Sequence, residues 1–241
     1  MDSTFDLHTN ADGQYTAERM LLHAGVVQHR LARRKQLAEP EILFLAGGPA
    51  SGKSTLSNTV ETPSDAVHID LDELREELPE YPQLLAVAPQ DAARLTHREA
   101  SDLTRLLVAS AMVRHHNIVL DGVGGDDDGS FASKINAART SGYTVDVCYA
   151  TIPVSEALAR EQARFEERHR RVPEEVVRAK HAEASRGIRT ISQLEIRSIV
   201  VYDTLDADPR VIARGVGGFG LEGIEPVDPA EYAAFLEKGH A

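Results

Sequence analysis

The residues with the clearest chemical meaning form one short glycine-rich segment. In order, they are Gly47, Gly48, Pro49, Ala50, Ser51, Gly52, Lys53, Ser54 and Thr55. They satisfy the pattern G-x-x-x-x-G-K-[ST], in which backbone N–H groups turn towards phosphate oxygens at the positive end of a helix. We expect Lys53 to reach the β and γ phosphates of a nucleotide and Ser54 to ligate magnesium. A glycine-rich turn without a ligand is the alternative, but the apolar run before the segment and the helical pattern after it favour a phosphate loop.

Two carboxylates follow the second apolar run, at the edge where open α/β sheets bind their ligands. Asp70 stands three residues before Glu73 and resembles the first residue of a capping box, which would be a structural role at a helix start. Asp72 would lie in the first helical turn, where the helix dipole favours a negative charge. The functional alternative is that Asp72 accepts the proton of a substrate hydroxyl that attacks the γ-phosphate.

A third carboxylate, Asp121, closes the apolar run 118–120 and is followed by Gly122. An acid in this position is expected near magnesium in P-loop proteins, whereas the alternative is an aspartate that starts a turn. The run Asp126-Asp127-Asp128 lies among glycines and lacks the spacing of a calcium loop, so we predict a solvated turn there. The ten histidines form no H-E-x-x-H or similar pair, and we therefore expect no zinc.

A group of arginines interrupts the acidic chain between positions 160 and 171. Its members are Arg160, Arg164, Arg168, Arg170 and Arg171. The first three are spaced by four and share one helix face. Glutamates stand four residues before three of the arginines, at positions 156, 166 and 167, so a surface of ion pairs is one interpretation. The other is a lid whose guanidinium groups stabilise a phosphoryl group during its transfer.

Composition limits the class of protein. The chain has 241 residues, with 26 Lys and Arg against 38 Asp and Glu, which gives a net charge of −12. This balance argues against non-specific electrostatic binding of nucleic-acid phosphates, so we expect no nucleic-acid partner. We also expect a cytoplasmic protein with no membrane partner, because no apolar run approaches the roughly 20 residues of a membrane helix and the N-terminus does not resemble a secretory signal. The single cysteine, Cys148, is expected to be a buried thiol.

Alternating apolar runs and helical patterns predict the scaffold that positions these residues. Strands are expected at 41–46, 66–70, 117–120, 144–150, 199–202 and 210–213, and helices at 16–38, 91–113, 153–169, 173–185 and 229–236. This alternation predicts an α/β fold, a doubly wound parallel sheet with helices on both faces and a helical lid. We divide the chain into an N-terminal helical extension at 1–40, a main domain at 41–215 and a tail with a short helix at 216–241.

The order of the motifs resembles the zeta toxin family, the kinase components of epsilon/zeta toxin–antitoxin systems. The resemblance rests on 47–55, on Asp70-Leu71-Asp72, on 118–122 and on the segment ending Arg170-Arg171-Val172-Pro173. It implies a P-loop kinase-like fold and phosphorylation of a hydroxyl of UDP-N-acetylglucosamine. It also implies ATP or GTP as the phosphoryl donor and Mg²⁺ as a cofactor, and it allows a protein antitoxin as a partner.

The resemblance assigns site residues by position. Lys53 corresponds to the family's loop lysine, Asp72 to its catalytic base, and Arg164 and Arg170 to arginines that contact the phosphates. The expected metal ligands are Ser54 and Asp121, and the expected contacts of the acceptor are Asp70, Asp72, Glu99, Asp121 and Gly122. Two features depart from the founding toxins: Asp121 replaces a frequent Glu, and 122–125 lack the polar and basic residues found near the sugar.

Three functions follow as hypotheses. The preferred one is a zeta-like kinase whose acceptor is UDP-N-acetylglucosamine or a related sugar nucleotide. The second keeps the kinase chemistry but changes the acceptor to another metabolite, an antibiotic or a nucleotide, because the loop 122–125 is altered. The third is a P-loop regulatory protein that hydrolyses nucleotide slowly and acts through a partner. Asp72 and the arginines argue against it, because a switch needs no base for an alcohol acceptor.

Overall fold

One sheet organises the chain. The computed structural model describes residues 1–168 and 172–240. Its strands are β1 (Glu41–Ala46), β2 (Val67–Ile69), β3 (Ile118–Asp121), β4 (Thr144–Thr151), β5 (Ser198–Asp203), β6 (Arg210–Gly215) and β7 (Ile224–Pro226). Within the described residues they form a sheet of seven strands in the order β2-β3-β1-β4-β5-β6-β7. Strands β1 to β5 pair in parallel, which confirms the predicted sheet, whereas β6 and β7 form an antiparallel edge that was not predicted.

The helices connect the strands and largely follow the predicted pattern. They are α1 (Thr4–His8), α2 (Ala17–Leu31), α3 (Lys53–Thr59), α4 (Leu71–Glu76), α5 (Tyr81–Val87), α6 (Pro89–Val113), α7 (Ser130–Thr140), α8 (Val154–Arg168), α9 (Glu174–Ile191) and α10 (Pro229–Glu237). The predicted helix 16–38 is wrong in its last part, because α2 ends at Leu31 and Arg33 adopts a left-handed φ of 65°. Among the described residues, no helix is both long and apolar enough to cross a membrane.

Alternating side chains of β1 pack on the two faces of the sheet. Ile42 and Phe44 belong to a core cluster completed by α6, α7 and α9, whereas Leu43 and Leu45 belong to a second cluster with α3. Cys148 is buried in this second cluster, as expected, and burial raises the pKa of its thiol to about 12. Helices therefore cover both faces of β1. Its carboxyl end lies at the switch point of the sheet, where β3 lies on one side of β1 and β4 on the other.

The two terminal segments pack on this core. Helices α1 and α2 lie against α6. In α10, the ring of Phe235 lies 5.9 Å from that of Tyr149. Lys238 follows α10 and donates hydrogen bonds to the Thr151 hydroxyl and the Ile152 carbonyl, both at 2.5 Å. The division of the chain at residues 40 and 215 stays a prediction.

Candidate active site at the carboxyl edge of the sheet

The phosphate loop joins β1 to α3 in the strand–loop–helix order that its pattern requires. Gly52 precedes the first residue of α3 with a left-handed φ of 85°, and Gly47 has a φ of 148°. A Cβ atom at Gly47 would lie 2.5 Å from the Ser51 hydroxyl and 2.6 Å from the Ala150 carbonyl oxygen. Both glycines of the motif are therefore required by the backbone path itself.

Lys53 bends over the loop from the first turn of α3. Its Nζ donates to the carbonyl of Gly47 at 2.9 Å and to that of Gly48 at 3.3 Å. The same Nζ lies 3.6 Å from Oδ1 of Asp121 at the end of β3. The ammonium group thus connects the mouth of the loop with the neighbouring strand end, where it can neutralise the charge of a bound phosphate.

Asp121, at the end of β3, has a raised pKa. Burial raises its pKa to about 6; Lys53 opposes the rise, and the negative charges of Asp70 and Asp72 add to it. In the sheet, Asp121 is paired in register with Leu45, one residue before the end of β1. The carboxyl edge of the sheet therefore brings Asp70, Asp72 and Asp121 close enough to affect one another electrostatically, with Lys53 beside Asp121.

Asp70 and Asp72 have different environments. Asp70 caps α4, because its Oδ1 accepts a hydrogen bond from the Asp72 N–H at 2.7 Å, and burial raises its pKa. The capping interpretation of Asp70 is thus confirmed, although Glu73 pairs with Arg30 and does not complete a capping box. Asp72 accepts a hydrogen bond from the buried guanidinium of Arg75, and 44% of its side chain stays exposed. Asp72 is therefore accessible to a solute.

Oxygen atoms of this site are compatible with Mg²⁺. Among the described residues, no group of three or more His, Cys, Asp or Glu could hold a metal ion by itself. Magnesium, however, usually takes one or two protein oxygens and completes its shell with substrate phosphates and water. Ser54, exposed in the first turn of α3, and Asp121 supply oxygen atoms of the required kind. Their role as metal ligands stays a prediction.

The glycines Gly124 and Gly125 of the loop after β3 are closely packed against neighbouring residues. A Cβ atom at Gly124 would lie 2.2 Å from the Ala46 Cβ, and one at Gly125 would lie 2.1 Å from the Glu183 Cγ of α9. At Gly187, also in α9, an added Cβ would lie 2.1 Å from the Gly124 carbonyl oxygen. Larger side chains are therefore excluded by close packing, whereas a Cβ at Gly122 would meet open space.

The predicted solvated turn at Asp126, Asp127 and Asp128 is confirmed by its contacts. Asp126 accepts from the Ala132 N–H at 2.8 Å, and Asp128 accepts from the Ser130 N–H at 3.0 Å, so both stabilise the start of α7. Helix α7 was not predicted, although Phe131, Ile135 and Ala138 are buried at helical spacing. That spacing is the signal that could have identified it.

The arginine segment is only partly described. Arg160 pairs with Glu156 at 3.2 Å, as the ion-pair interpretation predicted, and donates to the carbonyls of Thr204 and Leu205 at 3.2 and 2.6 Å. Arg164 pairs with Glu161 at 3.2 Å, and 48% of its side chain is exposed. The expected phosphate contact of Arg170 lies outside the described residues.

Glu99 does not have the environment expected of an acceptor contact. It has no exposed surface, and its carboxylate forms hydrogen bonds with Arg19 Nε and with His23 Nε2, the latter at 2.7 Å. Arg19 also binds Glu80 at 2.8 and 3.0 Å. Burial alone would raise the pKa of Glu99, but the hydrogen bonds from His23 and Arg19 outweigh burial and hold the pKa at about 2. The structure therefore places Glu99 in a saturated polar network beneath α2 rather than in contact with a solute.

Sequence reasoning missed two side chains that contact the phosphate loop. His181 of α9 lies with Nε2 at 2.9 Å from the Pro49 carbonyl oxygen. Thr204, which follows β5, directs its hydroxyl at the Ser51 carbonyl. They lie 132 and 153 residues from their partners, so no local pattern could have identified them.

Comparison with known proteins agrees with this geometry. The sequence profile of the Zeta toxin family matches residues 27–210. Toxin zeta of Streptococcus agalactiae is 26% identical over 102 residues, 41% of this chain and 36% of that protein. The matched part of the chain thus spans only about a third of the length of this curated relative.

Solved structures share the fold. A chain from the PezAT chromosomal toxin–antitoxin system of Streptococcus pneumoniae superposes with a TM-score of 0.69 at 17% identity, over 94% of this chain and 96% of that one. A chain of the AvrRxo1-ORF1:-ORF2 complex with ATP gives 0.72 at 16% identity, over 98% and 82%. Because the family profile covers most of the sequence, the chain belongs to the zeta toxin family.

Proposed function

We propose that the chain is an ATP-dependent kinase that transfers the γ-phosphoryl group to a hydroxyl of UDP-N-acetylglucosamine or a related sugar nucleotide. The observation that carries the proposal is the position of Lys53, between the carbonyls of the phosphate loop and the carboxylate of Asp121, with the exposed Asp72 at the same edge. Family membership and the similarity to a structure containing ATP support ATP as the donor.

In the transfer, the acceptor oxygen forms a bond to the γ-phosphorus as the bond from that phosphorus to the β–γ bridging oxygen breaks. Asp72 takes the proton of the acceptor hydroxyl, and its contact with the guanidinium of Arg75 orients the carboxylate. Lys53 exchanges the carbonyls of Gly47 and Gly48 for phosphate oxygens and neutralises the charge that develops on the leaving diphosphate. A P-loop switch needs no base in the position of Asp72.

Mg²⁺, when bound, would screen the β- and γ-phosphate charges, held by Ser54 and Asp121. Burial, with a smaller contribution from the charges of Asp70 and Asp72, raises the pKa of Asp121, and this supports the role because a bound cation would stabilise the ionised carboxylate. Arg164 and Arg170 are proposed to add positive charge at the phosphoryl group, since Arg164 is half exposed on α8 and free to reorient at little cost.

A protein antitoxin is the proposed partner. Its support is the likeness to a chain from a toxin–antitoxin system, together with membership of the family. Co-expression of the chain with a candidate antitoxin, followed by co-purification, tests this part of the proposal separately from the chemistry.

The acceptor is tested by incubating the purified chain with ATP, Mg²⁺ and a panel of sugar nucleotides, free sugars, nucleosides and antibiotics, with mass spectrometry as the readout. An added phosphoryl group on a sugar nucleotide supports the proposal. Phosphorylation of another member of the panel would change the acceptor but keep the kinase. Release of phosphate from ATP with no phosphorylated acceptor would favour the regulatory protein and contradict the proposed base.

A further inference from the structure

The carbonyl oxygens of the phosphate loop are anchored from outside the motif. Pro49 accepts a hydrogen bond from His181, whose side chain is buried, and the hydroxyl of Thr204 contacts the Ser51 carbonyl. Because a carbonyl oxygen only accepts, Nε2 of His181 must carry its proton. Burial lowers the pKa of His181 to about 4, and the positive charges of Lys238 and Lys53 act in the same direction, so the ring is neutral near pH 7.

These anchors determine where the N–H groups of the loop point. In a planar trans peptide the carbonyl and the N–H face opposite sides. When His181 holds the Pro49 carbonyl, the N–H of Ala50 is therefore directed away from α9, and the contact between Thr204 and Ser51 does the same for the N–H of Gly52. Ala50 needs this support most, because its φ of 55° is a left-handed conformation that residues other than glycine rarely adopt.

The anchors also explain the size of two loop residues. Position 48 is unrestricted in the pattern G-x-x-x-x-G-K, yet a Cβ atom at Gly48 would lie only 2.3 Å from Cδ2 of His181. A Cβ atom at Gly52 would lie 2.9 Å from the Cβ of Thr204. The loop therefore fits these two side chains closely.

We infer that His181 and Thr204 are positioning residues that hold the phosphate loop in the conformation that receives the nucleotide. The inference rests on the proposed function, since it concerns the binding of ATP. Neither residue needs to touch ATP: each acts through a backbone carbonyl. Arg160 extends the arrangement, because it donates to the Thr204 carbonyl at 3.2 Å and connects this anchor to α8.

The test compares ATP affinity with stability in matched variants. His181→Leu removes the donor, whereas His181→Gln keeps an N–H group. His116→Leu is the control, because His116 is also buried and lies with Nδ1 at 2.8 Å from the Lys35 carbonyl oxygen, close to the start of β3 and therefore at the opposite edge of the sheet. Isothermal titration with ATP and Mg²⁺ gives the affinity without any acceptor, and thermal unfolding gives the stability.

We expect His181→Leu to weaken ATP binding about 3- to 10-fold, with partial recovery in His181→Gln and unchanged affinity in His116→Leu. The Thr204 pair gives an independent result if His181→Leu does not fold: Thr204→Val should weaken binding by a similar factor, and Thr204→Ser should preserve it. Unchanged affinity in folded His181→Leu and Thr204→Val would overturn the inference and leave the kinase proposal standing. If the unmodified chain bound no ATP, both would be overturned.

Discussion

Two carboxylates, the buried Glu99 and the half-buried Asp121, have pKa values that are shifted in opposite directions. Glu99 lies in the network beneath α2, where hydrogen bonds from His23 and Arg19 outweigh burial and hold its pKa at about 2. Asp121 lies at the carboxyl edge of the sheet, where burial raises its pKa to about 6 and Lys53, at 3.6 Å, compensates only in part.

The difference separates a structural carboxylate from one that is available to a ligand. The partners of Glu99 saturate its charge, so its contribution is to stability. The ionised Asp121 destabilises the folded chain, and a bound cation or a reaction step can relieve this destabilisation. Both residues were expected to bind the acceptor, and only Asp121 has the environment for a ligand.

The largest effect on the rate of transfer is expected for Asp72, the proposed base, which lies at the same edge of the sheet as Asp121. Asp72→Asn keeps the size of the side chain but cannot take a proton, so the rate of transfer should fall on the order of 10² to 10⁴ with nearly unchanged ATP affinity. Asp70→Asn is the matched control, since Asp70 caps α4. Steady-state kinetics of both variants checks the assignment. Loss of turnover in Asp70→Asn with normal turnover in Asp72→Asn would move the base to Asp70.

The Glu99 network should show its effect in stability. Glu99→Gln leaves the buried Arg19 without its full charge partner, so we expect the free energy of unfolding to fall by about 3 to 5 kcal/mol at pH 7. Because the pKa of Glu99 is lowered in the folded chain, this difference should shrink as the pH falls below 4.5 towards 2. The control is Glu73→Gln, which breaks an exposed pair with Arg30 and should cost no more than about 1 kcal/mol. Both values are measured by urea unfolding. Equal decreases in the free energy of unfolding of Glu99→Gln and Glu73→Gln would contradict the structural role of Glu99.

Asp121→Asn should change the free energy of unfolding in the opposite direction to Glu99→Gln. A raised carboxyl pKa means that the folded chain holds this proton more tightly, so stability falls as the pH rises from 3.8 to about 6. At pH 7 the ionised Asp121 is a cost, and its replacement should raise the free energy of unfolding by about 1 to 3 kcal/mol while it lowers the rate of transfer. The gain in stability should shrink at pH 4. A destabilised variant at pH 7 would show that the contact with Lys53 outweighs burial.

The separation in sequence between contacting residues explains which features of the two regions could be predicted. The segment 47–55 is contiguous, so its motif predicted the loop and the start of α3. Asp70 and Asp121 end parallel strands, whose carboxyl ends meet at one edge. The pairing of Arg19 with Glu99 spans 80 residues and depends on how α2 packs against α6, which no local pattern specifies. The contact of His181 with Pro49 is equally distant in sequence.

The smallest effect is expected in α8. If Arg164 contacts the phosphoryl group during transfer, Arg164→Lys keeps the charge but loses the planar fork, and turnover should fall on the order of tenfold. Arg178→Lys is the control, because Arg178 forms a comparable exposed pair with Glu174 at 2.7 Å. Normal turnover in both variants, with stability changes below about 1 kcal/mol, would reduce Arg164 to a surface ion pair.

Phosphoryl transfer through Lys53 is tested most directly by the transfer of labelled γ-phosphate from ATP to UDP-N-acetylglucosamine. We expect a labelled sugar nucleotide with the unmodified chain. With Lys53→Ala we expect the rate to fall by a factor of about 10² to 10³ at unchanged thermal stability, because among the described residues the Lys53 ammonium contacts only loop carbonyls and Asp121. Transfer by Lys53→Ala at the full rate would contradict the proposed role of Lys53.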